Sequence, residues 1–406
     1  MSRSPDAAQD CACRAVELLN RLIFKRGQNE FFRMEPNMKY RRLPIEAEAP
    51  EQLAGNRVRF NLAESSVRNR SLQDLGMKLD KMPLCYGDHL GYPNLRKLIA
   101  EQGDGLSEDD VLITAGASTA LFIVATSLLG KGDHIVVARP NYATNIETPR
   151  AIGCEISYLE LTHENQYRVD IDELGLMLRP ETKFVSLTSP HNPSGTMLDR
   201  TDLERVIGLI TSRGCRLLLD ETYREMTFGE TLPVAASLNP RVISASSLSK
   251  TYGLPGIRIG WLVCQDKELM YLFLSAKEQI NICGSVIDEA IAFEALSQRP
   301  QWLPENNRRI KQAFTLVKDW MAHEELLEWI EPQGSCICFP RIRSDLTLDV
   351  DAFYRCLNDK YGVFVGPGHW FERSRRHFRI GYGYPTLDQL KDGLDGISKA
   401  LRDASG

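Results

Sequence analysis

The chain of 406 residues has no apolar run near the roughly 18 residues that a membrane span needs. Its first residues, Met-Ser-Arg-Ser-Pro-Asp, carry no hydrophobic signal core, so secretion is not expected. There is no basic excess either. The formal net charge is −5, which removes the positive field expected of a nucleic-acid-binding protein. No internal repeat and no low-complexity tract interrupts the sequence. The ten cysteines are scattered, and the pairs Cys11/Cys13 and Cys336/Cys338 have no histidine partners at zinc spacing. They read as reduced thiols of a cytoplasmic protein with no metal site.

What is present is an ordinary globular composition, 43% hydrophobic and 25% charged, at a length that accommodates two domains. Residues 1–10 are polar and read as loose. Cys13–Phe24 shows apolar positions at helical spacing, and residues 34–56 read as an arm or long loop. From about residue 95, short apolar runs alternate with amphipathic stretches such as Asp202–Ser212. The runs are Val111–Thr114, Ile135–Ala138, Phe184–Leu187, Leu217–Leu219, Val242–Ala245 and Ile257–Val263. Near-continuous apolar strands with helical crossovers predict an α/β domain with a mainly parallel sheet, whose ligands bind beyond the carboxyl ends of the strands. The last hundred residues differ. A long helix near Asn306–Leu326, short strands at Leu327–Ile330, Ser335–Phe339, Val363–Val365 and Phe378–Tyr382, and helices at Asp351–Tyr361 and Leu387–Leu401 predict a smaller α+β domain. The expected division is 61–300 and 301–406, with 1–60 joining the smaller part.

Lys250 is the most informative residue. It lies in Ser247-Leu-Ser-Lys250-Thr-Tyr-Gly-Leu-Pro-Gly-Ile-Arg258-Ile-Gly-Trp261, between two apolar runs. Partial desolvation is expected to lower the pKa of such a lysine and make it an amine nucleophile towards an aldehyde. The hydroxyls of Ser247 and Ser249 and the guanidinium of Arg258 suit a phosphate. A Schiff-base lysine beside a phosphate site suggests pyridoxal 5′-phosphate (PLP); a lysine snorkelling from a strand end is the alternative.

Other segments point the same way. Thr114-Ala-Gly-Ala-Ser-Thr-Ala120 follows a strand and opens an apolar helix from Ala120 to Leu129. Its small residues let backbone N–H groups approach an anion, although an ordinary helix cap reads alike. Leu217-Leu-Leu-Asp220-Glu-Thr-Tyr223 ends an apolar strand with two acids, and a carboxylate there is expected to face a cation, which a protonated pyridine would supply. Ser189-Pro-His-Asn192-Pro-Ser-Gly is a turn whose Asn192 amide can reach a ring hydroxyl, as can Tyr223. Tyr142, in Pro140-Asn-Tyr142, can stack on a ring or simply be half-buried.

In this order, Gly116-Ala-Ser-Thr, Pro140-Asn-Tyr142, Asn192-Pro-Ser-Gly, Asp220-Glu-x-Tyr223, Ser247-x-Ser-Lys250 and Arg258-x-Gly-Trp resemble the PLP-dependent class I/II aminotransferases of fold type I. The resemblance runs from about Asn61 to the C-terminus. It implies that Lys250 is the Schiff-base and proton-transfer residue and Asp220 the partner of the pyridine nitrogen. Asn192 and Tyr223 would serve the ring hydroxyl and Tyr142 the ring face, while Ala117, Ser118, Ser247, Ser249 and Arg258 form the phosphate cup. Tyr86 would reach the phosphate of a neighbouring subunit, making a homodimer with shared active sites. Arg379, in His-Phe-Arg-Ile-Gly-Tyr-Gly, would clamp the α-carboxylate of an amino-acid substrate, with Asn192 beside it.

Such a family hosts several reactions. Transamination is the leading expectation. Asn61-Leu-Ala-Glu64-Ser-Ser-Val replaces the Gly-rich turn usual in these enzymes and adds a carboxylate, Glu64, suited to a substrate guanidinium. With Arg379-Ile-Gly-Tyr-Gly it is similar to an arginine-processing branch of capreomycidine synthase-like cyclases and PLP arginine oxidases. A cyclase, dehydratase or oxidase acting on arginine or hydroxyarginine is therefore the alternative. A PLP-binding transcriptional regulator is disfavoured, because only some 60 residues precede the family region, without a basic recognition-helix pattern. His89, His369 and His377 are left outside the catalytic set. Trp370 and Phe371 are offered to the substrate pocket or to the core.

Overall fold

The near-continuous apolar runs become a seven-stranded sheet in the computed structural model, which describes residues 38–52 and 58–405. The expected helix at 13–24, the loose residues 1–10 and the Cys11/Cys13 pair lie outside the described residues. The strands are β1 (Val111–Thr114), β2 (His134–Arg139), β3 (Glu155–Glu160), β4 (Thr182–Thr188), β5 (Arg216–Asp220), β6 (Val242–Ser247) and β7 (Gly260–Val263). Their order is β1-β7-β6-β5-β4-β2-β3. All neighbours from β6 to β3 are parallel, while β7 is antiparallel to both β1 and β6. Helices such as Ala117–Leu128, Ala143–Ile152 and Arg200–Ser212 connect the strands. This is the mainly parallel α/β architecture that the resemblance implies, with helices between the strands.

Local chemistry explains the departures from the expected boundaries. The helix after β1 begins at Ala117 rather than Ala120, with Gly116 at its N-cap. Ile257–Val263 is not one strand: a 3-10 turn, Pro255–Ile257, and Arg258 at φ 50° precede β7. The long helix spans Arg299–Met321 instead of 306–326. Pro300 sits in its first turn, where a missing N–H costs nothing, and Pro304 removes one bond without ending it.

Residues 39–406 make one compact unit. Within it, a second apolar core gathers Leu62, Ile337, Val363, Phe378, Ile380 and Leu394. A three-stranded antiparallel sheet pairs Phe378–Gly381 with Ile337–Cys338 and Gly366–Pro367. Phe60–Asn61 runs parallel to Val363–Phe364. That pairing sets the turn beyond Asn61 against Arg379, beside the carboxyl ends of β4, β5 and β6. No helix among the described residues is long and apolar enough to cross a membrane.

Candidate active site

Thr188 and Asp220 are register partners at the ends of β4 and β5, and Ser247 closes β6. These ends open into a cavity of about 640 Å³. Its lining includes Lys250, Asp220, Tyr142, Asn192, Tyr223, Ala117, Ser118, Ser247, Ser249, Arg258, Glu64 and Arg379. Twelve residues from stretches far apart in sequence thus supply one site, and Tyr86 is the expected residue that it does not include. Tyr86 is 81% exposed on the loop before the helix Pro93–Ala100.

At the sheet end, the carboxylate Oδ1 of Asp220 accepts from the backbone N–H (3.1 Å) and hydroxyl (2.6 Å) of Thr222. Burial pushes its pKa up, against those hydrogen bonds. No cation pairs with Asp220 among the described residues, so the buried acid calls for a positive partner from a ligand. Neighbouring Glu221 is committed elsewhere, accepting from Ala235 N–H at 3.1 Å.

At the anion end, Arg258 lies across the start of the helix Ala117–Leu128. Gly116 makes this possible, because a Cβ there would stand 2.3 Å from Arg258 Nη2. The Arg258 Nη1 donates to Pro255 O (2.9 Å) and Ser249 Oγ (3.4 Å). A helix N-terminus, two serine hydroxyls and a guanidinium therefore converge, a fitting receptor for a phosphate. Tyr142, at the N-cap of the helix Ala143–Ile152, is held by Asn141, whose Oδ1 accepts from Tyr142 N–H (2.8 Å) and the Thr188 hydroxyl (2.7 Å).

The substrate side is built on the Asn61 turn. Asn61 Oδ1 accepts from the backbone N–H groups of Ala63 (3.1 Å) and Glu64 (3.2 Å), closing an Asx turn in place of a glycine-rich one. Gly381 lets this turn press on the strand of Arg379, since a Cβ there would meet Glu64 O at 1.8 Å. The turn presents two groups. Ala63 O accepts from Arg379 Nη2 (2.8 Å), and Glu64 Oε1 accepts from Lys250 Nζ (3.2 Å). Arg379 Nη1 donates to Asn192 Oδ1 at 2.9 Å, while its buried Nε has no hydrogen-bond partner among the described residues. Phe371 lies 5.0 Å beneath the guanidinium, and Trp370 lines the cavity. Tyr223 Oη donates to Ser65 O at 3.1 Å.

The Lys250–Glu64 contact corrects the expectation of a lysine with lowered pKa. Burial does act in that direction, but the charge of Glu64, with a smaller effect from Tyr223, reverses it and raises the pKa. Reciprocally, the charge of Lys250 holds the Glu64 carboxyl at about 2. Glu64 therefore stands at the lysine nitrogen. The carboxylate that sequence reasoning missed is Glu46, on the single turn Pro44–Ala47, which lines the same cavity. No periodicity or motif marked it.

Of the three histidines set aside, His89 pairs with Glu278 and His369 with Glu48, while His377 stacks on Phe339 and burial lowers its pKa to about 4. Cys336 and Cys338 are buried, and burial pushes the Cys336 thiol up to about 12. No group of three or more candidate ligands that could hold a metal occurs among the described residues.

PLP offers a phosphate, a basic ring nitrogen and an aldehyde, and the cavity holds a complement to each in the Arg258 cradle, buried Asp220 and Lys250. Comparison with known proteins agrees. The family model for aminotransferase class I and II matches residues 66–397. The chain is 32% identical to the arginine–pyruvate transaminase AruH of Pseudomonas aeruginosa, over 73% of this chain and 77% of that one. It is 29% identical to capreomycidine synthase of Streptomyces vinaceus, over 80% of this chain and 82% of that one. Among solved structures, the PLP-dependent cyclase OrfR superposes with a TM-score of 0.82 at 27% identity, covering 90% and 98% of the two chains. The chain belongs to the class I and II aminotransferase family and is a PLP-dependent enzyme.

Proposed function

We propose that this enzyme transaminates an L-amino acid of the arginine type, passing the amino group to a 2-oxo acid. The observation that carries the reading is the single cavity in which Lys250, Asp220 and Arg379 face one another. The arginine preference is supported by the similarity to an arginine–pyruvate transaminase and to capreomycidine synthase.

Bound PLP would supply an aldehyde for amines and an electron sink for bonds at the substrate α-carbon. Lys250 would hold the cofactor as a Schiff base and, once released, carry the proton to and from the substrate Cα. Asp220 would keep the ring nitrogen protonated, and Tyr142 would cover the ring face. Asn192 and Tyr223 would serve the ring hydroxyl. Ala117, Ser118, Ser247, Ser249 and Arg258 would take the phosphate. Arg379, which has a buried Nε to spare, would take the α-carboxylate in a bidentate fork. Asn192 would hold that fork in place, and Glu64 would be a substrate contact on the lysine side. Exposed Tyr86 would reach the phosphate of a second subunit in a cytoplasmic homodimer. The large domain would comprise residues 61–300 and the small one 301–406, joined by 1–60.

A second reading is a cyclase or dehydratase acting on arginine or hydroxyarginine without net transamination. Glu64 on Lys250 favours it, because a fixed carboxylate at the lysine nitrogen stands where the Gly-rich turn usual in aminotransferases carries no charge, and it can stabilise positive charge at the reacting centre. Incubating the PLP-loaded protein with amino acids, arginine and hydroxyarginines included, with and without a 2-oxo acid, separates the two. Amino-group exchange that needs the acceptor is the expected result. A product formed without acceptor, by loss of water or uptake of oxygen, would replace transamination with the cyclase or oxidase reading.

A further inference from the structure

Three glutamates stand at or beside the substrate side of the cavity, and two of them are engaged. Glu64 accepts from Lys250 Nζ at 3.2 Å. Glu48 accepts from His369 Nε2 at 2.7 Å and from Trp370 Nε1 at 2.8 Å. Glu46 lines the cavity, and its carboxylate has neither ion pair nor hydrogen bond among the described residues. It is open to solvent at the mouth, yet close enough to Tyr142 for its charge to act on that phenol.

The segment carrying Glu46 is anchored on both sides. Before it, Lys39 N–H donates to Ala151 O at 3.0 Å, and Arg41 Nε donates to Glu147 at 2.8 Å on the helix Ala143–Ile152. After it, Glu48 is fixed to the turn Gly368–Phe371. Ile45 packs on the core of the sheet domain. The Glu46 backbone is thus held at the cavity, and among the described residues its carboxylate is uncommitted.

The three cations of the cavity already have tasks in the reading above: Lys250 the aldehyde, Arg258 the phosphate, Arg379 the α-carboxylate. A ligand that satisfies the remaining anion must bring its own positive charge, at the end away from its carboxylate. We propose that Glu46 is the receptor for the substrate side chain and selects a guanidinium, whose paired N–H donors match a carboxylate in a bidentate fork. This rests on the reading of the cavity as an amino-acid site closed by Arg379, and it adds the residue that reads the far end of the substrate.

The test compares wild type with Glu46→Gln and Glu46→Ala, PLP-loaded, using arginine, lysine and the neutral isostere citrulline. Steady-state kinetics and calorimetric titration are both read, so binding answers even where turnover is slow. Wild type is expected to prefer arginine over citrulline. Glu46→Gln should lower kcat/KM for arginine by about 10–100-fold, mostly through KM, and leave citrulline within about twofold. If both variants keep the wild-type preference for arginine, Glu46 is not the receptor, while the arginine reading stands. If wild type binds citrulline or lysine as tightly as arginine, guanidinium selection is overturned. If wild type instead takes acidic or aromatic amino acids, the arginine reading and this proposal fall together, and the Arg379 site remains.

Discussion

Glu64→Gln is the most informative single change in the site. Lys250 and Glu64 are 3.2 Å apart, with side chains 27% and 28% exposed to the cavity. The carboxyl is held at about 2 against an ordinary 4.5, first by the charge of Lys250 and against burial. A displacement of that size corresponds to about 3 kcal/mol in favour of the charged form. Arg379 and the Ser65 N–H share in it, and the cavity admits water, so the lysine's part is about 1–2 kcal/mol. The same energy holds the proton on Lys250. Nζ attacks an aldehyde only as the free amine. Glutamine removes the anion but still accepts from the Ser65 N–H, leaving burial to govern the lysine. The pH midpoint for cofactor capture should then fall by about one unit, and capture at about pH 8 should speed up roughly tenfold. Protein stripped of cofactor would be mixed with PLP across about pH 6–10, following the visible absorbance of the lysine-bound cofactor. A midpoint that stays where it is in wild type, or moves upward, would refute the argument.

Other changes have defined outcomes. Lys250→Ala should abolish turnover and the lysine-bound absorbance band while leaving noncovalent PLP binding measurable by dialysis; retained activity would sink the assignment. Asp220→Ala should still allow the band to form but slow turnover by at least about 100-fold, so near-normal rates would exclude its pairing with the ring nitrogen. Arg379→Gln should raise KM at least about 100-fold for any amino acid, whatever its side chain, and an unchanged KM would move the carboxylate site elsewhere. Gly381→Ala, placing a methyl 1.8 Å from Glu64 O, should cost about 1–3 kcal/mol of stability in chemical denaturation. His191 is buried and neutral, with a pKa of about 4 caused by burial, against about 6.5 when unfolded. Its neutral form is therefore favoured above about pH 6.5, and that contribution is lost as pH falls towards 4, lowering Tm between about pH 6.5 and 4. His191→Gln should flatten that slope.

The sheet was legible because buried parallel strands are written as short apolar runs, and a run such as Leu217–Leu219 needs no partner to be recognised. The residues around Lys250 were legible for a related reason, since Ser247, Ser249, Lys250 and Arg258 are neighbours in sequence. Two things were not. Lys250 and Glu64 are 186 residues apart, and the sign of the lysine's pKa depends on that contact rather than on the apolar flanks. Glu46 sits in a one-turn helix among prolines, where no periodicity separates a side chain facing a cavity from one facing solvent. The start of the helix Arg299–Met321 was misplaced because Pro304 reads as a boundary, although a helix tolerates it there.

The antiparallel course of β7 has a consequence for length. β6 arrives at Ser247 and β7 departs from Gly260, side by side in the sheet, so residues 248–259 are a loop pinned at both ends. The proposed nucleophile and the proposed phosphate ligand hang on that one loop, eight positions apart. It would act as a ruler for the cofactor, fixing the span from aldehyde to phosphate by the length of the chain between Lys250 and Arg258. A substitution at exposed Gly256 should be absorbed, whereas adding or deleting one residue within 251–257 would put one mark of the ruler out of register with the other.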